Sequence, residues 1–288
     1  MIDFLQALLD GMMLGATYSL LGLGFTLIFG VLRRLNLAFG PMILVGIYAG
    51  SHLHLSGVGP LPAVMAVTVA GAVLAGAYVE RCSFRALARQ APVVSMISSF
   101  AVSMQLQELV ALVSSSRTLP YPAPEWLPAI TLGPLLLRAD GLLMWGGATL
   151  MMLALFALLY RTRWGTAMRA VADSSEAATL MGVNVAAVGA AAFLLASAIG
   201  GVAGALIATS QQQVTPYFGL WATVKGLTTM LLGGAGSLPG AALGGLILGV
   251  VETETLWYLG GQWRDLVSYA LLFLVAATAG KSRAGWSA

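Results

Sequence analysis

The stretch Leu231-Leu-Gly-Gly-Ala-Gly-Ser-Leu-Pro-Gly-Ala-Ala-Leu-Gly-Gly-Leu-Ile-Leu-Gly249 decides how this chain is built. About half of it is glycine and alanine, and none of it is charged. In a soluble protein such a run would be a flexible linker. Here it lies between apolar runs, so it reads as two membrane helices meeting at a tight turn broken by glycine and Pro239. Small residues let helix backbones approach closely in a bilayer, and broken helices there need protein or a water-filled path around them.

Composition agrees. The chain has 288 residues, 59% hydrophobic and 9% charged, with a mean hydropathy of +0.89. A soluble domain carries about 25% charged residues, so there is too little polar surface here to solvate a globule, and lipid must cover much of it. A spanning helix takes roughly 20 apolar residues, which leaves room for about eight or nine spans, short loops and no separate soluble domain. The expected fold is therefore an all-α, polytopic membrane domain over 1–288. Residues 1–10 carry Asp3 but no Lys or Arg, so no secretory leader is expected and the first apolar run reads as a retained span. Cys82 is alone, which excludes an internal disulfide.

The spans are expected near 5–30, 36–54, 60–79, 93–114, 141–160, 186–208, 219–235, 240–257 and 265–280. The second reads alternatively as a half-buried or re-entrant segment, because Arg33, Arg34, Asn36 and Pro41 crowd its start; merging it with the first would leave eight. Cytoplasmic loops are enriched in Lys and Arg. Nine spans put Arg33, Arg34, Arg81, Arg85, Arg89, Arg161, Arg163, Arg169, Lys281 and Arg283 on one side, against Arg117, Arg138 and Arg264 on the other. The N-terminus is thus expected outside, and the net charge of +3 reflects sidedness rather than a nucleic-acid surface. The outer loop 115–140 holds Pro120, Pro122, Pro124, Pro128 and Pro134, which favour extended structure. Glu125 and Trp126 suit an interface there, and the loop reads either as a simple cap or as a docking surface. A compositional echo links 22–50 with 226–249, as transporters built from repeats often show.

The longest polar stretch on the basic side is Arg161-Thr-Arg-Trp-Gly-Thr-Ala-Met-Arg-Ala-Val-Ala-Asp-Ser-Ser-Glu-Ala-Ala-Thr-Leu-Met-Gly-Val-Asn184. Residues 166–172 favour helix. Asp173-Ser174-Ser175 can stop that helix and start a second, with Ser175 as N-cap and Glu176 in the first turn. Gly182 can end it. Ala177 and Ala178, like Ala167 and Ala170, would make shallow patches on which another protein could settle. The segment 161–185 reads either as an ordinary amphipathic connector or as a coupling element on which a cytosolic motor pushes.

These residues carry a resemblance. Gly165, Ala167, Arg169-Ala170, Ala177-Ala178 and Gly182-Val183 resemble the loop pattern of the permease subunits of bacterial branched-chain amino acid ABC transporters. Lys225-Gly226, Leu232-Gly233-Gly234-x-Gly236-Ser237-x-Pro239-Gly240 and Gly244-Gly245 resemble that family's Gly-rich hairpin, here 231–249. Gly22 to Gly30 followed by Asn36-Leu-Ala-Phe-Gly40 resembles its N-terminal segment, with Phe39 and Pro41 standing where His and Glu are usual. Arg264 to Leu272 resembles the last span, but the usual Arg-Pro-x-Gly-Leu ending is replaced by Ala279-Gly-Lys-Ser-Arg-Ala-Gly. The resemblance implies a type II ABC-importer-like permease in the bacterial inner membrane, with a second permease subunit, cytosolic ABC ATPases and a periplasmic solute-binding protein as partners. It implies no cofactor and no catalytic activity of the chain's own. Gly165, Ala167, Arg169, Ala170, Ala177, Ala178 and Gly182 would couple to the ATPase. Gly233, Gly234, Gly236, Pro239 and Gly240 would be the break at which spans rock. Leucine, isoleucine and valine are the solutes implied, with urea, short amides and other amino acids open.

Other motifs are decoys. Gly280-Lys281-Ser282 mimics the end of a phosphate-binding loop, but the required earlier glycine is Val275, and the context is a membrane span rather than a strand and a helix. Gly234-x-Gly236-x-x-x-Gly240 has the wrong spacing for a dinucleotide loop. Gly200-x-x-x-Gly204 and Gly245-x-x-x-Gly249 read as packing faces or as pore lining. His52 and His54 have no metal-ligand companions nearby, and no nucleophile–base pair is evident.

Asp10, Glu108, Lys225, Glu252 and Glu254 fall in or near spans, where a charge costs roughly 2.5–3.5 kcal/mol at the bilayer centre and normally faces protein or water. Glu252 and Glu254 are placed near an outer end, from which they could reach the interface. Lys225 is expected to pair with Asp10, Glu108 or Glu252. Asn36, Gln105, Glu108 and Lys225 are candidate path residues. An ion-coupled secondary carrier using Glu108 as a relay is the alternative, and a purely structural scaffold the third reading.

Overall fold

The computed structural model describes residues 2–57, 59–124, 130–132 and 135–284. Every apolar stretch expected from the sequence forms a helix. In chain order these are α1 (Ile2–Leu32), α2 (Phe39–Leu55), α3 (Leu61–Val79), α4 (Pro92–Ser114) and α5 (Ala139–Arg161), then the short α6 (Arg163–Asp173) and α7 (Ser175–Leu180), then α8 (Val185–Gln211), α9 (Phe218–Leu232), α10 (Leu238–Tyr258) and α11 (Gly261–Ala284). A π-helical segment, Glu80–Arg85, prolongs α3. Among the described residues, five helical stretches are able by length and composition to cross a membrane: Asp3–Leu32, Leu61–Arg85, Pro92–Ser114, Ala139–Arg161 and Val185–Gln211. The apolar α9 is shorter, at 15 residues.

The second stretch is a continuous helix with most of its residues buried. Pro41 does not break it, because Pro41 sits in the first turn, where the missing N–H has no helical partner to lose.

α1 runs through the middle of the bundle and packs chiefly on α10, and also on α8, α9 and α5; α2 packs chiefly on α3, with α9, α8 and α4 around it. Small residues set these contacts. A Cβ on Gly249 would collide with the backbone of Gly15, and one on Gly15 would lie 2.8 Å from Leu246 Cα. The hydroxyl of Ser19 crosses between the same helices to donate to Ala242 O at 2.6 Å. The face of Gly245 and Gly249 is therefore a packing face, and so is that of Gly200 and Gly204, which meets Phe39, Ile43 and Ile47. Aromatic pairs fill the wider gaps, with ring centroids 4.6 Å apart for Phe25–Phe39 and 5.0 Å for Phe84–Phe193. Leu74, Leu112, Leu150 and Phe273 are strongly exposed, as lipid-facing side chains on spanning helices are.

Both helix pairs of the compositional echo, α1–α2 and α9–α10, turn at the same end of the bundle as α6 and α7. At the opposite end the described residues of the proline-rich loop include short extended segments. Leu119–Pro120 (β1) pairs antiparallel with Gln213–Val214 (β4), and Ile130–Leu132 (β2) with Leu135–Leu137 (β3). Tyr121 follows β1 and is buried between helices, its hydroxyl 2.8 Å from that of Thr68. Burial pushes its phenol up to about 12. Glu125, Trp126, Pro128 and Pro134 lie outside the described residues.

Candidate functional site

The polar segment 161–185 folds as a pair of short helices. Thr162 caps α6, its hydroxyl accepting from Gly165 N at 3.1 Å. The cap of α7 is Ser174, which accepts from Ala177 N at 3.2 Å, so the helix starts one residue earlier than Ser175 as cap would give. Ser174 wins because its backbone is extended, at φ −152° and ψ 110°, while Ser175 is already helical. An N-cap needs that extended geometry to aim its oxygen at the first free amides. Gly182 closes α7 at φ +82°, a left-handed turn that suits glycine past a helix end. Val183 N then donates to Ala178 O at 3.0 Å. Asn184 caps α8.

The shallow alanine face is split. Ala178 turns inward and is buried while Ala177 is exposed; Ala167 is half-buried and Ala170 exposed. Gly165 is sealed against the carbonyls of Leu158 and Leu159. Arg169 is exposed and lies over the Tyr160 ring at 4.8 Å. Beyond the alanines, Leu180 and Met181 are 89% and 85% exposed. A leucine and a methionine this bare, at the end of α7 that leads into α8, form an apolar knob.

The glycine-rich turn stands beside this pair. Gly234 (φ +88°) and Gly236 (φ +93°) adopt left-handed backbone that other residues avoid. Ser237 caps α10 by accepting from Gly240 N at 3.2 Å, with Pro239 in the first turn. Gly233 and Gly240 touch backbone to backbone. A cleft of about 300 Å³ is walled on one side by Met168, Arg169 and Asp173 and on the other by Gly236, Ser237 and Pro239. The two sequence-predicted elements are thus neighbours. A larger cleft of about 1120 Å³ opens on the other flank of α6 and α7, against Arg33, Arg34 and the π-helical segment. Arg33 ties the end of α1 to α6 by donating to Ala172 O at 2.7 Å. Arg34 gathers Leu87 O, Ala88 O, Gln90 O and Ser95 Oγ, which pins the turn between α3 and α4.

Lys225 finds its carboxylate in the core. Its Nζ donates to Glu252 Oε1 at 2.5 Å, Asp265 Oδ1 at 2.9 Å and Ser268 Oγ at 2.9 Å. Glu252 Oε2 accepts from Tyr18 OH at 2.8 Å and Arg264 Nε at 3.2 Å, and Arg264 Nη2 reaches Tyr18 OH at 3.0 Å. Ser268 Oγ also bonds Glu252. Two cations and two anions therefore close a network joining α1, α9, α10 and α11. Lys225, Glu252, Tyr18 and Ser268 are fully buried. Of the three partners expected for Lys225, the structure selects Glu252, which is sealed inside and does not reach the interface. Tyr18, Arg264, Asp265 and Ser268 complete the network without being among the residues expected from the sequence. The available signal was Arg264-Asp265-x-x-Ser268, a polar turn opening an apolar helix.

The candidate path residues do not converge. Asn36 is buried at the basic end, its Oδ1 accepting from Ala38 N at 3.0 Å while its Nδ2 has no hydrogen-bond partner among the described residues. Gln105 and Glu108 stand on the exposed side of α4, with Tyr78 OH donating to Gln105 Oε1 at 3.3 Å. Lys225 belongs to the buried network. Among the described residues there is no group of three or more His, Cys, Asp or Glu placed to hold a metal.

A bundle of apolar helices, several long enough by length and composition to cross a bilayer, with two short helices at its basic end, is the architecture of a multi-pass membrane protein. Its fold matches a metal-chelate type ABC transporter in an inward-facing conformation, with a TM-score of 0.57 at 16% identity over 95% of this chain and 85% of that one. A family model described as branched-chain amino acid transport system / permease component matches residues 7–276, and the chain belongs to that family. It is 34% identical to the high-affinity branched-chain amino acid transport system permease protein LivH of Salmonella typhimurium, over 94% of this chain and 92% of LivH. It is 30% identical to the corresponding protein BraD of Pseudomonas aeruginosa, again over 94% and 92%.

Proposed function

We propose that this chain is one of two permease subunits of an importer that carries branched-chain amino acids, or a closely related small solute, across a bacterial inner membrane. The whole of 1–288 acts as one transmembrane domain of nine spans. A periplasmic binding protein delivers the solute at the end bearing the proline-rich loop. Cytosolic ATPases act at the other end on segment 161–185, and hairpin 231–249 is where spans pivot.

The observation that carries this reading is the α6–α7 pair: capped, left bare at Leu180 and Met181, and sharing a cleft with the Gly236–Pro239 turn. An ATPase that grips the knob moves α6, and α6 lies against the hinge. Glu108, the relay required by an ion-coupled carrier, lies on an exposed helix face, which gives that alternative no support.

The test is uptake and ATP hydrolysis measured together in proteoliposomes holding the assembled transporter. Gly182→Pro and Arg169→Glu should leave the chain in the membrane and separate hydrolysis from uptake of labelled leucine. Normal coupled uptake in both variants would reject the role of the segment. Uptake that ignores vanadate but collapses with an ionophore would reject the ATP-driven class.

A further inference from the structure

At the end of the bundle away from α6 and α7, the beginnings of α1, α5 and α11 and the ends of α8 and α10 enclose a cleft of about 540 Å³. That volume is within the size range of small-ligand sites. Two acids, Asp10 and Asp140, and two bases, Arg138 and Arg264, line it. Met13, Met144, Leu256 and Trp257 give it an apolar wall.

Arg138 and Asp140 satisfy each other at 3.1 Å, and Asp140 Oδ2 also accepts from Ser210 at 2.7 Å. The other two charges are only half used. Arg264 commits Nε to Glu252 and Nη2 to Tyr18, while its Nη1 makes no hydrogen bond among the described residues and its side chain is 27% exposed. Asp10 accepts from Gln6 through Oδ1 at 3.2 Å; its Oδ2 makes none among the described residues. Asp10 also lies within electrostatic range of Arg138 and Asp140. A charged donor and a charged acceptor, each with capacity left, thus border one cleft beside an apolar wall. An anion alone would meet the two carboxylates, and a cation alone the two guanidiniums. A small molecule carrying both charges and a short apolar chain complements all three features.

We propose that this cleft is an outer receiving site for a free α-amino acid zwitterion, with Arg264 taking its carboxylate and Asp10 its ammonium. The inference rests on the amino-acid transport reading above and adds the site.

The experiment is saturation-transfer difference NMR on the transporter in nanodiscs, with the subunits that co-purify with it and without the binding protein. The probes are L-leucine, 4-methylpentanoate (no ammonium) and leucinol (no carboxylate). L-leucine should give a saturable signal, and each analogue should bind about tenfold more weakly, the loss of one charge-assisted hydrogen bond. Asp10→Asn should weaken leucine and leucinol but not 4-methylpentanoate; Arg264→Lys should weaken leucine and 4-methylpentanoate but not leucinol. A merely structural role would weaken all three probes alike and overturn the assignment, as would equal or absent signals in the wild type. If Arg264→Lys fails to accumulate, the wild-type probe ranking and Asp10→Asn decide. Wild-type uptake of leucine with a silent cleft would remove the site and leave the transport reading intact. Absence of amino-acid uptake with the binding protein present would remove the transport reading itself.

Discussion

Replacing Lys225 by Met strips the central cation from a network whose hub, Glu252, has no contact with solvent. Breaking one side of a buried ion pair costs about 3–5 kcal/mol, because a charge is left sealed without its partner. After Lys225→Met, Glu252 keeps Arg264, Tyr18 and Ser268. The loss should therefore sit at the low end, about 3 kcal/mol. After Glu252→Gln, Lys225 keeps Asp265 as counter-ion, a carboxylate whose side chain is 54% exposed. Solvent and salt screen that partner, so a loss of about 3–5 kcal/mol is expected there too. Independent losses would sum to about 6–8 kcal/mol. The double variant, however, leaves one cation, Arg264, and one anion, Asp265. It should be no worse than either single variant, a coupling energy of about 3–5 kcal/mol. The assay is a reversible SDS titration of the purified protein in mixed micelles, followed by near-ultraviolet circular dichroism. A coupling energy below about 1 kcal/mol, or either single variant unfolding at the wild-type midpoint, would refute the reasoning.

Four further outcomes are expected. Ser174→Ala should destabilise α7 by about 1 kcal/mol, and Ser175→Ala should be close to neutral, read by hydrogen exchange at the Ala177 and Ala178 amides. Gly249→Leu should abolish the monodisperse peak in size-exclusion chromatography, because Gly15 backbone occupies the space. Gly234 has open space but a left-handed backbone, so Gly234→Ala should cost only about 1–2 kcal/mol by the same titration. The contribution of Tyr121 should be fully present below about pH 10, where the unfolded phenol ionises. It should be lost as pH rises through about 12; melting temperatures across alkaline pH should show the step, and Tyr121→Phe should erase it.

Helix placement was legible because hydropathy and caps are local. The stretch 186–208 became Val185–Gln211, and Gly182 ended α7 as its freedom at positive φ allows. The N-cap slipped from Ser175 to Ser174 because two adjacent serines offer the same hydroxyl, and only the backbone decides between them. The buried network was half legible. Lys225 inside an apolar run announces that it needs a carboxylate, but three were at hand, and choosing among them takes the packing of α9 on α10. Tyr18 and Arg264 are 246 residues apart in sequence, and no pattern of spacing links them. Arg264 instead reads as an outer-loop charge, and Glu252 as one near the interface, because span ends are blurred by a few residues.

The packing of α1 on α10 bears on how the protein is made. Most of the chain separates the two helices, and synthesis proceeds at a limited pace, so α1 waits some tens of seconds for its chief partner to leave the ribosome. During that wait its Gly11 and Gly15 groove is open to lipid or to any insertase nearby. A truncation anywhere before α10 therefore leaves that same groove without the helix that fills it.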